Sequence, residues 1–273
     1  MKCLQIFAVI VLDCSYLFAG ENDCKLKDEI FKKQELKMNT CSTLSYKSRM
    51  SNESSTMDCI IYIKNNDDGT KFERTETKDK SFDTDDVEII NNEGIWELRN
   101  GKAVNVKKVR DKERMAMADE AVNAQKMFPN NYGRIEECKI EDGEYKGIKC
   151  YIITVKATTK KEILIQGIKA LQKINDAYKY MDPEAIYKKD SVSISIFTID
   201  KSNLLPYLVE SYDEKGVKQY SIIQYDYKIN QVLDEKLFSI PKNYKKEVIE
   251  DIKAYQKYII ENGKNGNKGG KKK

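Results

Sequence analysis

The 273-residue sequence contains no histidine, one tryptophan and four prolines. Without histidine, Ser–His and Cys–His nucleophile pairs are impossible, and so are zinc sites that use imidazole ligands. CxxC pairs, phosphate-binding glycine loops and the GxSxG pattern of hydrolases are missing as well. Carboxylates are numerous but scattered, so a hydrolase that uses them has no positive support. These absences favour a non-catalytic binding protein and predict neither a metal nor a cofactor.

The two ends of the chain differ in character from its body. Residues 1–19 combine Lys2, an apolar run and small residues near the end, which is the pattern of a secretory signal peptide. We therefore expect export to the periplasm; an uncleaved membrane anchor is the alternative. Residues 263–273 contain five lysines and no acid, which predicts a disordered, solubilising tail or a contact with anionic lipid.

The net charge of +4 belongs to that tail. Residues 1–19 carry Lys2 and Asp13 and contribute nothing, so removing the five tail lysines leaves 4 − 5 = −1 for residues 20–262. A body that is nearly neutral lacks the basic footprint of a nucleic-acid-binding protein. We therefore expect no nucleic-acid partner.

Five cysteines remain if residues 1–19 are removed, so at least one must stay unpaired or bond to another chain. Cys138 and Cys150 flank the turn-rich connector EDGEYKG between two strand-like runs. Opposite positions on a hairpin lie within disulfide reach. The sequence therefore predicts a Cys138–Cys150 disulfide.

The body alternates short strand patterns with a few amphipathic helices. Residues 42–108 predict an antiparallel meander of six strands, in which Asn100-Gly101 is a tight hairpin turn. Apolar periodicity predicts helices over 25–39, 111–128, 160–181 and 243–262, with further strands between 135 and 230. The expected fold is α+β, with a large curved antiparallel sheet of about eleven strands that the helices cover. Such a sheet, if incompletely filled, can bind acyl chains by apolar burial alone.

Several segments resemble the LolA-like family of periplasmic outer-membrane lipoprotein carrier and sorting proteins. They are Asp200–Pro206 (DKSNLLP), Glu210–Gly216, Tyr227–Asn230, Asp234–Pro241 and Tyr145–Tyr151. The resemblance implies an unclosed half-barrel over residues 20–242, with a helical insertion at 158–185. A C-terminal helix at 243–262 and the tail at 263–273 would be additions to it. It further implies an apolar cavity for acyl chains and an arginine in the sheet that holds a lid, with Arg49 and Arg74 as candidates.

Two functions follow from these expectations. The first is a carrier or sorting protein that binds lipid or lipoprotein acyl chains and makes transient contact with a membrane. The second is a non-catalytic sensing or binding module whose partner is an envelope protein. Apolar strand positions provide the candidate cavity residues, although a closed core would use the same positions. These candidates are Ile61, Ile63, Phe72, Ile89, Trp96, Ile194 and Ile196.

Overall fold

A computed structural model describes residues 25–79, 84–115, 134–174 and 179–263. The predicted signal peptide and nearly all of the lysine tail lie outside these ranges. The helices, in chain order, are α1 (Lys25–Thr40), α2 (107–115), α3 (Lys161–Ile174), α4 (Pro183–Ile186) and α5 (Ile252–Gly263), with a 3₁₀ helix at Glu235–Phe238. None of the helices in the described ranges is long and apolar enough to cross a membrane.

Twelve strands in the described ranges form one sheet that does not close. They are β1 (Thr43–Asn52), β2 (Thr56–Asn65), β3 (Lys71–Asp79), β4 (Thr84–Asn91), β5 (Gly94–Arg99), β6 (Lys102–Asn105), β7 (Arg134–Tyr145), β8 (Ile148–Thr159), β9 (Ser191–Asp200), β10 (Pro206–Asp213), β11 (Lys218–Ile229) and β12 (Lys245–Val248). The strand order is β12-β6-β5-β4-β3-β2-β1-β11-β10-β9-β8-β7. The α+β half-barrel expected from the sequence is confirmed, including the six-stranded meander over β1–β6.

The end of the chain corrects one prediction. Residues 243–262 are not one helix, because β12 pairs in parallel with β6 before α5 begins. The Lys245 amide donates to the Gly101 carbonyl at 2.9 Å, and the Asp251 carboxylate then accepts from two amides of the first turn of α5. The edge of β6 offers backbone amide and carbonyl groups to β12, and hydrophobic periodicity does not reveal such pairing. Because β12 and β6 are parallel, the sheet is mixed.

Strand pairing divides the side chains between two faces of the sheet. The face that carries Leu44, Ile61 and Ile153 is called the inner face, and the opposite one the outer face. Helix α1 packs on the inner face over β8 and β9, where the Phe31 and Phe197 rings lie 5.2 Å apart. Helices α2 and α5 pack on the inner face over β5 and β6. Burial of these apolar side chains, each contributing about 1.5–3 kcal/mol, fixes the helices on one side of the sheet.

The outer face is covered differently. At β3–β6 it packs against the chain that follows β11, and Phe238 of the 3₁₀ helix contacts Phe72 with 6.0 Å between ring centroids. Ile240 and Tyr244 extend this cover over the buried Ile89 and Trp96. The chain after β11, which includes the Asp234–Pro241 segment, thus covers the outer face at β3–β6.

Two further predictions require correction. The register places Cys138 opposite Val155 and Cys150 opposite Gly143, an offset of five residues or roughly 17 Å along the ladder. Cys150 is a free, buried thiol, so the predicted Cys138–Cys150 disulfide is wrong. Helix α2 begins at residue 107 rather than 111, because the Asn105 side chain accepts from the Lys107 amide. The rest of the helix predicted over 111–128 lies outside the described residues.

Candidate binding pocket

A pocket of about 250 Å³ opens where β10 stops covering β11. The pairing of these two strands ends at Leu208 and Ile223, whereas β11 continues along β1 to Ile229. The β7–β8 turn and the β9–β10 turn border the gap. This tyrosine pocket is lined by Tyr145, Lys146, Ile148, Asn203, Leu205, Tyr207, Ile223, Gln224, Tyr225, Asp226, Tyr227 and Ile229.

Aromatic rings form a continuous row along the pocket wall. The Tyr145 ring stacks on Tyr207 at 6.1 Å, and Tyr207 meets Tyr227 edge to face at 5.9 Å. Tyr227 then stacks on Tyr46 of β1 at 5.2 Å. Contacts of this kind add about 0.5–1.5 kcal/mol each beyond burial, so they hold the rings against one another.

The DKSNLLP segment forms a second wall of the pocket, and the Asp200 carboxylate holds its turn together. One carboxylate oxygen accepts from the Ser202 amide at 2.6 Å and from the Ser202 hydroxyl at 2.7 Å, and the other accepts from the Tyr207 hydroxyl at 3.3 Å. Burial opposes ionisation, but these hydrogen bonds outweigh it and hold the pKa of Asp200 below its usual value. The turn positions Leu205, which is 2% exposed, as the floor of the pocket.

Three residues around the pocket adopt positive φ: Lys146 (51°), Leu204 (60°) and Asp226 (56°). Asp226 belongs to a bulge in β11, where the register shifts opposite β1. The bulge directs the Asp226 carboxylate to Lys47, with 2.8 Å between the charged atoms. Since each residue departs from ordinary strand geometry, the ends of the strands separate and leave room between them.

The Tyr227 hydroxyl in the pocket wall already has partners within the protein. The Tyr227 hydroxyl donates to the Pro206 carbonyl at 2.5 Å and lies 2.8 Å from the Gln224 side-chain oxygen. Burial raises the pKa of both Tyr207 and Tyr227, so these phenols stay neutral. What the interior of the pocket offers a ligand is therefore mainly aromatic faces and aliphatic side chains.

A second polar cluster, called the carboxylate clasp, lies on the inner face under α2 and α5. It consists of Arg110, Glu88, Glu97, Glu113 and Tyr255. The Arg110 guanidinium lies 2.8 Å from Glu97, 3.2 Å from Glu113 and 3.9 Å from Glu88. The Tyr255 hydroxyl donates to Glu97 at 2.6 Å, which ties α5 to the sheet.

Glu88 is a carboxylate of the clasp whose pKa is raised. Burial and the neighbouring Glu97 and Glu73 raise the pKa of its carboxyl to about 7, although Arg110 opposes the shift. Three carboxylates thus lie within 4 Å of one guanidinium group, and the pKa of the most distant of them, Glu88, is raised to about 7.

The structure divides the seven predicted cavity residues between the two faces. Ile61 and Ile63 lie in the inner-face core. Phe72, Ile89 and Trp96 lie on the outer face beneath the chain that follows β11. Ile194 and Ile196 are half-buried outer-face positions of β9. Residues on opposite faces of one sheet cannot all line a single cavity, and none of the seven lines the tyrosine pocket.

The two predicted arginines have different surroundings. Arg49 forms an exposed outer-face ion pair with Asp58 at 2.6 Å. Arg74 donates to Glu76 and, at 3.1 Å, to the Leu237 carbonyl of the 3₁₀ helix on the outer face. The arginine that joins helices to the inner face is Arg110, which sequence reasoning missed. Its signal was a cation within the apolar positions Val106 and Val109 at the start of a helix.

The described residues contain no group of three or more side chains suited to a metal ion. The buried thiols of Cys41 and Cys150 have raised pKa values because burial disfavours the thiolate. Such cysteines are poor nucleophiles.

No protein-family model and no curated protein sequence matches this chain. Solved structures that align with it include an uncharacterized conserved protein from Thermus thermophilus, with 10% identity and a TM-score of 0.47 over 82% of this chain and all of that one. The MucA/MucB complex of Pseudomonas aeruginosa aligns with 8% identity and a TM-score of 0.45 over 79% of this chain, which spans 61% of that one. A LolA superfamily protein of Nitrosomonas europaea aligns with 11% identity and a TM-score of 0.25, over 78% and 97%. Similarity at this level carries no argument about function.

Proposed function

We propose that this protein is a non-catalytic binding protein that holds the apolar part of its ligand in the tyrosine pocket. The observation that supports it is the lining itself, since four tyrosine rings and four aliphatic side chains surround about 250 Å³. Burial of apolar ligand surface would supply the affinity, roughly 0.8 kcal/mol for each CH₂ group. Nothing in this scheme needs a nucleophile, a metal or a cofactor.

The ligand we propose is an acyl chain of a lipid or lipoprotein, and the site of action is the periplasm. The family resemblance of the DKSNLLP segment and the signal-peptide pattern of residues 1–19 support this choice. The pocket is somewhat smaller than the ~300–1,000 Å³ usual for sites that enclose a whole small molecule. It therefore suits the end of one chain rather than several chains together.

A sensing or binding module with an envelope protein as its partner is the second candidate. The tyrosine content of the pocket favours it, because tyrosine is enriched in the buried centres of protein interfaces. In that case the pocket would receive an apolar side chain of the partner.

The test is to purify the full chain from the cell envelope of its host and to identify bound molecules by lipid extraction and mass spectrometry. Ile148→Trp would fill the pocket, whereas Ile152→Trp changes a half-buried residue of the same strand outside it. We expect an acyl ligand with the natural chain and with Ile152→Trp, and its loss with Ile148→Trp. A ligand retained equally by both variants would refute the pocket as the site, and a co-purified protein without lipid would select the second candidate.

A further inference from the structure

We propose that Lys146 makes the tyrosine pocket selective for apolar ligands that end in a carboxylate. This inference rests on the proposed function, because it assigns the polar end of the ligand that the pocket would hold. It concerns one side chain at the mouth of the pocket, which the sequence did not single out.

The backbone at Lys146 is unusual for a lysine. Lys146 and Gly147 have φ of 51° and 82°, which are the values of a tight hairpin turn. Asparagine and aspartate are the residues that tolerate the first of these positions best. A lysine at this position makes the turn less stable than asparagine would, and it places an ammonium group beside the pocket.

The Lys146 side chain folds back over the pocket wall. Its ammonium nitrogen lies 5.2 Å from the centroid of the Tyr145 ring, the first ring of the aromatic row. A cation over an aromatic face is held weakly and stays available to an anion. The charge therefore sits beside the place where an apolar ligand would enter.

Two acids of the pocket region, Asp226 and Asp200, have other partners. Asp226 pairs with Lys47 at 2.8 Å, and Asp200 accepts hydrogen bonds from its own turn and from Tyr207. Within the described ranges, no carboxylate lies within ion-pairing distance of Lys146. The mouth thus presents a positive charge that the protein does not neutralise, in front of an apolar interior.

A carboxylate on a short apolar chain or ring satisfies both features. Its charge would pair with Lys146 while the tyrosine rings bury the remainder. A fatty acid and the C-terminal residue of a peptide both carry this chemistry. The two sources differ in shape, so they can be separated by experiment.

The experiment measures binding to the full chain by isothermal titration calorimetry, with three probes of equal chain length. These are octanoate, octanol and octyltrimethylammonium, and N-acetyl-phenylalanine represents a peptide end. We expect octanoate to bind about tenfold more tightly than octanol, with a difference that shrinks as salt screens the charge. Lys146→Asn removes the charge while keeping a residue that suits the turn, and Lys146→Arg retains the charge.

The preference for octanoate should disappear in Lys146→Asn and persist in Lys146→Arg. Equal binding of octanoate and octanol by the natural chain, with N-acetyl-phenylalanine binding that does not change in Lys146→Asn, would overturn the inference while leaving the pocket itself in place. An octanoate preference that is unchanged in Lys146→Asn would overturn it as well. If neither an octyl probe nor N-acetyl-phenylalanine binds, the proposed function fails together with the inference. Lys146-dependent binding of either carboxylate supports the inference, and the tighter of the two identifies the source.

Discussion

In the carboxylate clasp, three largely buried carboxylates lie around one arginine, whereas each acid of the tyrosine pocket has partners of its own. Among the residues that the structure describes, no carboxylate lies within ion-pairing distance of Lys146 at the mouth of the pocket. The clasp lies under two helices, and its Tyr255–Glu97 bond closes the inner face over β4–β6. The pocket lies where strand pairing is interrupted between β10 and β11. In one sheet, charged side chains thus tie helices to β4–β6, and the interrupted pairing of β10 and β11 leaves a pocket.

The difference shows how the same residue types serve opposite purposes. Buried charges in the clasp fix the position of a helix, since each depends on the others for its solvation. At the pocket the hydroxyls of Tyr207 and Tyr227 bond within the protein, and their rings remain accessible as apolar surface. Stability should therefore depend on the clasp, and binding on the pocket.

The largest effect is expected from Arg110→Met, which leaves Glu97 and Glu113 buried without their cation. Removal of one partner from such a network costs about 3–5 kcal/mol. Urea unfolding followed by circular dichroism measures it. Arg49→Met removes an exposed ion pair and serves as the control, for which no measurable change is expected. Equal shifts for the two variants would show that the clasp does not stabilise the fold.

The next effect is the pH dependence that Glu88 imposes. Its pKa is about 7 in the folded chain, against 4.5 for an ordinary glutamate, so the folded state binds more protons between these values. Stability should therefore fall as pH rises from 4.5 through about 7, on the order of 3 kcal/mol at 1.4 kcal/mol per unit. Unfolding midpoints of the natural chain and Glu88→Gln at pH 5 and pH 8 test it. If Glu88→Gln loses as much stability as the natural chain, another group is responsible.

A smaller loss is expected from Asp200→Ala, which removes the acceptor of the turn that forms the pocket floor. Unsatisfied donors in such a turn cost about 1–3 kcal/mol. Asp200→Asn keeps one oxygen acceptor and should lose less. Octanol binding should weaken in Asp200→Ala, unlike in Arg110 variants that remain folded. A pocket that binds normally without the Asp200 carboxylate would contradict its role in shaping the wall.

The smallest effect compares two similar turns, one in each region. Asn100 and Lys146 have φ of 50° and 51°, and each is followed by a glycine with positive φ. Lys146→Asn should stabilise the chain by about 1 kcal/mol, and Asn100→Lys should destabilise it by a similar amount. Thermal unfolding of both variants provides the measurement. If both variants changed the free energy of unfolding in the same direction, lysine would not be the less stable residue at this turn position. That result would contradict the view that Lys146 is kept for its ammonium group.

Much of the architecture could be read from alternation and turn residues. The strands of the meander and the Asn100-Gly101 turn were found because their signals are local. The strand β12 could not be, since its pairing with β6 joins residues more than a hundred positions apart. The Cys138–Cys150 pairing failed for a related reason, because the turn falls at Lys146-Gly147 and sets a register that composition does not reveal.

The candidate site was less accessible to sequence reasoning than the fold. The DKSNLLP segment was noticed as a pattern, yet its role in building a wall depends on where the Asp200 oxygens point. The cavity residues were chosen by apolarity, and the two faces of the sheet then separated Ile61 from Ile89 and Ile196. Arg110 was overlooked because a helical arginine ordinarily faces solvent.

By itself, the sequence determined the class of the fold and the absence of histidine chemistry, because composition and periodicity are properties of each segment alone. It also placed the excess charge in the final lysines. Only the tertiary structure decided which face each strand position occupies, which carboxylates meet Arg110, and where the sheet leaves a pocket. These depend on register and on interrupted pairing between distant strands, and no local pattern encodes them.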